Sequence, residues 1–347
     1  MKSAYGLAAM ICACLLLFTG CSRGGIGTKM IVKALYLEHQ TDYTAQLVLL
    51  QAQPSADAGD AQENLQVVQG TGNSWFEALQ QAEQQCAGPV FYGQNEMFLV
   101  GPGLQQNGLF QAVEYLAGID SGRPNMQVWG IDSDAEQFAE QAKEPDFLQG
   151  LQQLSQQQPF RTFLYQLLQQ EKCGLVPLLQ SEGPLGIKEN GLMLYQQGKP
   201  TAHWTQAEHI MAALLCGQSV SAPLFELSLG EQLVQVQLSS PRFVYDVEQT
   251  AQGMKLRLHL TGAIRSVSGV EGEYSAQQQE KLLGTMEAAL SAVANKILVE
   301  GFTPQGDVFG LQRRFANWNA AQTEALAQQN ALWDSERLSF ICELKIL

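Results

Sequence analysis

The sequence predicts an α+β protein of more than one domain, in which mixed or antiparallel sheets pack against helices. Apolar and polar residues alternate strictly over Met254–Leu260 and Leu338–Ile346, as in strands with one face on a core. Between these segments Leu283, Met286 and Leu290 recur at helical spacing. The C-terminal domain is therefore predicted as strands, then long helices, then a final strand. A length of 347 residues is sufficient for two or three domains.

The N-terminus has the features of a lipoprotein signal peptide. Lys2 precedes an apolar run over Leu7–Phe18, which is too short to cross the roughly 30 Å hydrocarbon core as a permanent helix. The run ends in Thr19-Gly20-Cys21, where small residues expose the bond to a signal peptidase and the thiol accepts a diacylglyceryl group. We expect Cys21 to be lipidated, because two acyl chains hold a protein stably on a bilayer. The alternative is a secretory signal with an ordinary thiol.

The domain organisation follows from these features. No later apolar run is long enough for a spanning helix, so the remaining chain is expected to lie on the extracytoplasmic side of the membrane. The predicted segments are a cleaved signal peptide at 1–20, a flexible lipid-proximal tether at 21–29, an N-terminal α/β region of one or two subdomains at 30–200, and a C-terminal α+β domain at 201–347.

Short strands and helices are interleaved in the N-terminal region. Met30–Leu37 and Tyr43–Gln51 are predicted as the strands of a hairpin, and Pro54–Glu63 as a polar loop. Ser74 stands three residues before Glu77, which predicts a capping box and a helix to about Cys86. The other predicted elements are strands at Val90–Tyr92, Met97–Val100, Met126–Gly130 and Leu192–Tyr195, and helices at Gln105–Ala117, Ala135–Ala142, Phe147–Gln170 and Gln206–Leu215.

The C-terminal domain shows longer periodic segments. Leu233–Leu238 is predicted as a strand before the alternating segment that begins at Met254. Ser275 and Gln278 are predicted to cap a long helix that stops at Gly301. A second helical region is expected to bury its aromatic and leucine side chains, which are Phe315, Trp318, Leu326 and Trp333.

Composition excludes one large class of function. The chain has 34 acidic and 20 basic residues, which gives a formal net charge of −14. A surface of that sign repels phosphate backbones, so we expect no nucleic-acid partner.

The four cysteines that follow Cys21 have no metal-binding or redox spacing. Cys86, Cys173, Cys216 and Cys342 are far apart and form no C-x-x-C motif, so neither zinc nor thioredoxin-like chemistry is indicated. An extracytoplasmic location permits disulfides, but the sequence does not pair these residues. Cys342 falls on the apolar face of a predicted strand, where a buried free thiol is expected.

Few residues suggest catalysis or metal binding. His203 and His209, with Glu208, form the one close histidine pair, but a spacing of six does not place them on one helix face. Asp132 and Asp134 come between a strand and a helix, where carboxylates stabilise the helix N-terminus.

Other common signatures are also missing from the sequence. The turn Gly101-Pro102-Gly103 has no lysine partner that would make it a phosphate site. No nucleophile elbow, zinc-protease motif, phosphate-binding loop or dinucleotide fingerprint occurs. We therefore predict no enzymatic activity, no catalytic or metal residues and no cofactor.

Several segments resemble one family in the order in which they occur. In the N-terminal half these are Cys21, the early hairpin, Gly72–Ala78, Phe91-Tyr92-Gly93, Phe98-Leu99-Val100 and Asp120–Pro124. In the second half they are Gly191–Lys199, Lys296-Ile297-Leu298, Asp307–Gly310, Trp318, Trp333 and the final alternating strand. Together they resemble the Ger(x)C family, the lipoprotein C subunits of bacterial spore germinant receptors.

The resemblance implies a function in nutrient-triggered spore germination. Members of the family are non-enzymatic lipoproteins on the outer face of the spore inner membrane, beside a polytopic B subunit and a membrane-bound A subunit. The resemblance therefore implies A and B subunits and a lipid membrane as partners of this chain. The alternative from the residues alone is a solute-binding lipoprotein of a membrane transporter, which usually has two α/β lobes around a cleft. A lipoprotein hydrolase is a third alternative, for which no nucleophile and base stand out.

Overall fold

A computed structural model shows two main sheets covered by helices. The elements below are numbered along the described residues, which are 29–51, 65–119, 122–154, 160–168, 173–181, 187–218, 220, 222–229, 232–250, 253–268, 276–303, 306–311, 313–314 and 338–346. The predicted signal peptide with Cys21, the loop Pro54–Glu63, the cap Ser275 and the helical region from Phe315 to Trp333 lie outside these residues. The domain boundaries stay a prediction.

The first sheet combines a parallel centre with antiparallel ends. The described strands are β1 (Met30–His39), β2 (Tyr43–Gln51), β3 (Leu65–Gly72), β4 (Val90–Phe91), β5 (Met97–Val100), β6 (Gln127–Ile131), β7 (Gly174–Ser181), β8 (Ile187–Gln196) and β9 (Lys199–Trp204). Their order is β3-β2-β1-β5-β6-β7-β8-β9, and β4 pairs with the start of β1. Because β1, β5, β6 and β7 are parallel, all four end at the same edge, here called the carboxyl edge.

Helices cover both faces of this sheet. They are α1 (Trp75–Glu83), α2 (Pro102–Asn107), α3 (Phe110–Ala117), α4 (Ala135–Gln141), α5 (Pro145–Gln153) and α6 (Phe160–Leu168). One apolar core joins α1, α3 and α6 to one face, through buried residues such as Leu79, Val113 and Phe163. A second core joins α4 and α5 to the other face, through Phe138 and Leu151. Burial on both faces explains why the central strands are almost entirely apolar.

The predicted hairpin and capped helix are confirmed. β1 and β2 pair antiparallel from His39↔Tyr43 to Met30↔Gln51, with one irregularity between Val32 and Ala34. Ser74 begins α1, because its hydroxyl accepts a hydrogen bond from the backbone N–H of Glu77 at 3.2 Å. The Glu77 carboxylate accepts one from the N–H of Asn73 at 2.8 Å, one residue before the cap, so the structure forms the Ser74 half of the predicted capping box.

Two predicted helices are each divided in the structure. The segment Gln105–Ala117 contains the end of α2 and all of α3, because Gly108 adopts a φ of +102° that an α-helix cannot contain. The segment Phe147–Gln170 contains most of α5 and all of α6. Such breaks are hard to detect in the sequence, because each helix of a pair has buried residues at the same helical spacing.

The second sheet forms the C-terminal part of the fold. After α7 (Gln206–Leu215) come β10 (Leu224–Leu229), β11 (Gln232–Thr250), β12 (Gly253–Ser268), α8 (Ala276–Gly301), the short pair β13 (Phe302–Thr303) and β14 (Gly306–Asp307), and β15 (Leu338–Ile346). The order is β10-β11-β12-β15. The final strand is where predicted, but it pairs parallel to β12, so the sheet is mixed and not wholly antiparallel. A parallel neighbour requires a crossover, and α8 lies within that connection.

Helix α8 packs against the inner face of this sheet. Met286, Leu290, Ala294 and Ile297 are fully buried with Leu258 and other strand residues in one apolar cluster. The segment Glu280–Gly301 is also long and apolar enough, by length and composition, to cross a membrane. Its buried face is accounted for by the contacts with the sheet, as expected of a core helix.

A prediction concerns the close contact between β3 and α1. A Cβ on Gly70 would collide with the backbone of Ala78 and Ala82, whereas a Cβ on Gly284 in α8 would meet nothing within 4 Å. Gly70→Ala should therefore lower the unfolding free energy by about 1–3 kcal/mol through overpacking. The matched Gly284→Ala should leave it unchanged or raise it by up to about 1 kcal/mol. Denaturant unfolding checks both, and equal effects of the two substitutions would contradict the packing.

Candidate functional site

A polar cleft of about 380 Å³ lies at the carboxyl edge of the first sheet. In parallel sheets this edge is where ligands usually bind, because loops and helix N-termini converge there. The cleft combines carboxylates with amide and hydroxyl groups, and its described lining consists of Glu38, Gln40, Thr41, Asp42, Thr44, Thr71, Asp134, Ala135 and Glu136. Hydrogen-bond acceptors dominate this lining, which has no described lysine or arginine.

Glu38 is the buried carboxylate of the cleft, and only 3% of its surface is exposed. Its Oε1 accepts hydrogen bonds from the backbone N–H groups of His39 at 2.7 Å and Leu104 at 2.9 Å. Its Oε2 lies 3.2 Å from the hydroxyl of Tyr36, which is also 3.1 Å from the carbonyl oxygen of Ser133. The charge of Glu38 therefore stabilises the N-terminus of α2, where the helix dipole favours an anion.

The two glycines of Gly101-Pro102-Gly103 make room for this carboxylate. A Cβ on Gly101 would collide with the side chains of Tyr36 and Glu38, and one on Gly103 with Glu38. Pro102 occupies the first turn of α2, where its missing N–H costs nothing. The segment predicted as a turn is instead the start of α2, with Gly101 before the helix and Pro102 and Gly103 inside it, and its partner is the carboxylate of Glu38. Sequence reasoning missed Glu38; the two glycines around Pro102 were the available signal of a close approach.

Burial also suppresses acid–base chemistry at Tyr36. Desolvation, followed by the nearby charge of Glu38 and its hydrogen bond, raises the pKa of Tyr36 far above the ordinary value of 10.0. The ring stacks on Phe138 with a centroid distance of 4.6 Å. Tyr36 is therefore a fixed hydrogen-bond donor that links Glu38 to the packing of α4.

Asp134 stabilises a helix N-terminus, as the sequence predicted, whereas Asp132 bonds a strand. Asp134 caps α4 by accepting a hydrogen bond from the N–H of Gln137 at 2.9 Å, and the Gln137 side chain returns one at 3.2 Å. Asp132 accepts a hydrogen bond from the N–H of Ser181 at 3.0 Å and so ties the end of β6 to β7.

The histidine pair does not form a metal site in the described residues. His203 Nε2 lies 2.8 Å from the carbonyl oxygen of Asn190. His209 is buried, and desolvation lowers its pKa. The Glu208 carboxylate accepts hydrogen bonds from Thr205 and Lys296. The described part of the chain contains no group of three or more His, Cys, Asp or Glu residues that could hold a metal ion.

No disulfide joins the described cysteines, which are Cys86, Cys173, Cys216 and Cys342, to one another. Cys342 is buried, as predicted. Burial raises the pKa of Cys216 and of Cys342 to about 12, and burial also raises the pKa of the half-buried Cys86. Because the thiolate is the nucleophile, Cys86, Cys216 and Cys342 are poorly suited to covalent catalysis.

The last turn of α8 joins the two sheets. Its contacts with β8, β9 and α7, together with those of Arg314 described below, are here called the junction. The indole N–H of Trp204, at the end of β9, donates to Glu300 at 2.6 Å, and the Gln196 side chain donates to the Glu300 carbonyl at 2.8 Å. Trp204 also stacks parallel to Phe309 with centroids 5.8 Å apart. Lys296, one turn earlier, pairs with Glu208 of α7.

Arg314 also belongs to the junction, where it donates hydrogen bonds to three segments. Its guanidinium donates at 2.7 Å to the carbonyl of Leu215 and to the hydroxyl of Tyr245, and at 3.1 Å to the carbonyl of Phe309. One side chain therefore connects the end of α7, the strand β11 and the segment after α8. A planar guanidinium with five donors suits three acceptors in different directions.

A prediction tests the ion pair between Glu208 and Lys296. Burial opposes ionisation of Glu208, but hydrogen bonds from Lys296 and Thr205 outweigh it and hold the pKa of Glu208 below its ordinary value of 4.5. The stabilisation is therefore present above the unfolded-state pKa and is lost as pH falls through the folded-state pKa. Glu208→Gln retains the capping geometry and should cost about 0.5–1 kcal/mol at pH 7, since Lys296 is half-exposed.

The measurement is denaturant unfolding of both proteins from pH 7 down to pH 3. The difference between wild type and Glu208→Gln should shrink as the pH falls below 4.5. Glu140→Gln is the matched control, because its partner Lys143 and the carboxylate itself are both exposed. A constant difference over the whole range, or an equal effect of the control, would argue against the ion pair.

Comparison with known proteins finds one similar domain family and one similar fold. A family model described as the spore germination protein N-terminal domain matches residues 30–180. The crystal structure of the GerBC protein shares the fold with a TM-score of 0.58 and 11% sequence identity, over 90% of this chain and 96% of that one. No curated protein matches the sequence. The match of residues 30–180 and the similarity of fold along most of the chain agree with the resemblance to the Ger(x)C family seen in the sequence.

Proposed function

We propose that this chain is the C subunit of a spore germinant receptor, a lipoprotein that acts in germination without catalysing a reaction. The observation that carries the proposal is the match of residues 30–180 to a spore germination protein domain. The likeness to GerBC supports the same assignment through the fold. Two of the four carboxylates that line the cleft, Glu38 and Asp134, are engaged with helix N-termini.

The proposed mode of action is assembly at a membrane. Diacylglycerol on Cys21 would hold the protein on the outer leaflet of the spore inner membrane, next to integral A and B subunits. Confinement to the membrane plane raises the effective concentration of the protein at such partners, so weak contacts suffice for assembly. The signal peptide at 1–20 and the tether at 21–29 supply the anchor in this proposal.

The solute-binding alternative has less support. Such proteins enclose their ligand between two α/β lobes that close on each other. Here the described residues of the two sheets share one continuous apolar cluster, which includes Leu192, Trp204, Phe225 and Met286. A shared core of this kind leaves little freedom for two lobes to open and close.

A test of the anchor uses Cys21→Ala in spores. The variant should fold normally but leave the membrane fraction, and nutrient-triggered germination should slow markedly because the effective concentration at the partners falls. Cys342→Ala is the matched control, since it removes a buried thiol that the proposal assigns no role. Immunoblotting of membrane and soluble fractions gives the location, and loss of optical density gives germination. Full germination by Cys21→Ala at normal abundance would contradict the anchoring function.

A pull-down tests the assembly itself. The lipidated protein, captured from detergent-solubilised spore membranes, should bring down one polytopic permease-like protein and a second large membrane subunit, identified by mass spectrometry. Recovery of a transporter permease with an ATPase would favour the solute-binding alternative instead.

A further inference from the structure

Helix α6 lies along the edge of the first sheet opposite the cleft, here called the amino edge. The backbone N–H of Phe160 donates to the carbonyl of Met126 at 2.7 Å, immediately before β6 begins. Gly174, the first residue of β7, faces the other end of the helix: a Cβ there would lie 2.8 Å from the ring of Phe163 and 3.6 Å from Leu167. The helix therefore extends from the start of one parallel strand to the start of the next.

The two faces of α6 differ in the residues they present. Phe160, Phe163 and Leu167 point into the core and are at most 4% exposed. Arg161 is exposed on the outer side, together with Tyr165 at 61% and Leu168 at 52%. These three outer residues are spaced by four and then three positions, so they lie on one face. An arginine, a tyrosine and a leucine in this arrangement fit the boundary between lipid headgroups and acyl chains.

The start of β1 places the membrane tether at the same edge. Because β1 is parallel to β5 and β6, Met30 lies at the amino edge with Met126. The nine residues from Cys21 to Lys29 span at most about 30 Å when fully extended. A lipid on Cys21 therefore keeps the amino edge within about 30 Å of the bilayer surface, while the cleft lies at the far end of the ten-residue strand β1.

From these two observations we propose that the outer face of α6, consisting of Arg161, Tyr165 and Leu168, rests on the lipid surface. The inference rests on the proposed lipidation of Cys21 and specifies which side of the protein meets the membrane. Anchor and helix would then be two contacts on one edge, which fixes the orientation of the body. The carboxyl-edge cleft opens away from the bilayer in this orientation.

The experiment attaches the protein to vesicles without relying on cellular lipidation. The chain from Cys21 onward, with Cys86→Ser, is coupled through the Cys21 thiol to maleimide lipid in vesicles of phosphatidylcholine and phosphatidylglycerol. Burial raises the pKa of Cys216 and Cys342, and Cys173 is only 3% exposed, so these three thiols react slowly with maleimide. An environment-sensitive fluorescent amino acid replaces Leu168, or, as the matched control, Phe76, which is 60% exposed on α1. Thermal unfolding first verifies that each variant folds.

At position 168 we expect a blue-shifted emission and quenching by nitroxide-labelled lipid, and at position 76 neither. Arg161→Gln should reduce the quenched fraction at position 168 by about fivefold, the effect of losing one basic side chain at an anionic surface. Arg242→Gln, at an exposed site on β11, should leave it unchanged. Solvent-like emission at position 168 would overturn the inference, and so would a blue shift that appears only when membrane proteins are added. Neither result would bear on lipidation of Cys21 in spores, which the Cys21→Ala experiment measures.

Discussion

The attachment of α8 to the first sheet determines how the whole protein is arranged. Both oxygen positions of Glu300, the carboxylate and the backbone carbonyl, accept hydrogen bonds from the end of that sheet, through Trp204 and Gln196. Trp204 is fully buried, so its indole N–H would be costly to leave without a partner. Since α8 carries the C-terminal sheet on its inner face, fixing its last turn fixes that sheet as well.

Buried polar groups in this chain are used to satisfy backbone groups and to join elements. Glu38 stabilises the start of α2, and Arg314 satisfies the last carbonyls of α7. In an enzyme, such groups would leave an oxygen or a nitrogen directed at a substrate. Tyr36 and Cys216 instead have their pKa values raised by burial, which makes proton transfer at neutral pH harder. The arrangement suits a protein that presents rigid surfaces to its partners.

The local pattern of apolar residues predicted most helices and strands. The features that it did not predict depend on contacts between distant parts of the chain. The alternation over Leu338–Ile346 located the last strand but contained nothing about its direction, because parallel and antiparallel strands share the same period. β7 was overlooked because Gly174–Ser181 is apolar without alternation and contains Pro177, which disfavours a central strand. The role of Glu38 was equally hidden, since Leu104, whose N–H it accepts, lies 66 residues away. The prediction that Cys21 is lipidated rests on the sequence alone.

The position of β1 decides how a tether at the N-terminus would act on the body. β1 is bonded to β2 on one side and to β4 and β5 on the other, and its side chains Val32, Tyr36 and Leu37 are fully buried. To remove β1 from the sheet, a force on the tether would have to break the hydrogen bonds on both sides of the strand, whereas an edge strand is bonded on one side only. Any tilt imposed at the membrane therefore moves the first sheet as a unit. Because the junction at Glu300 and Arg314 joins the second sheet to the first, the same tilt reaches β10–β12 without an intervening hinge.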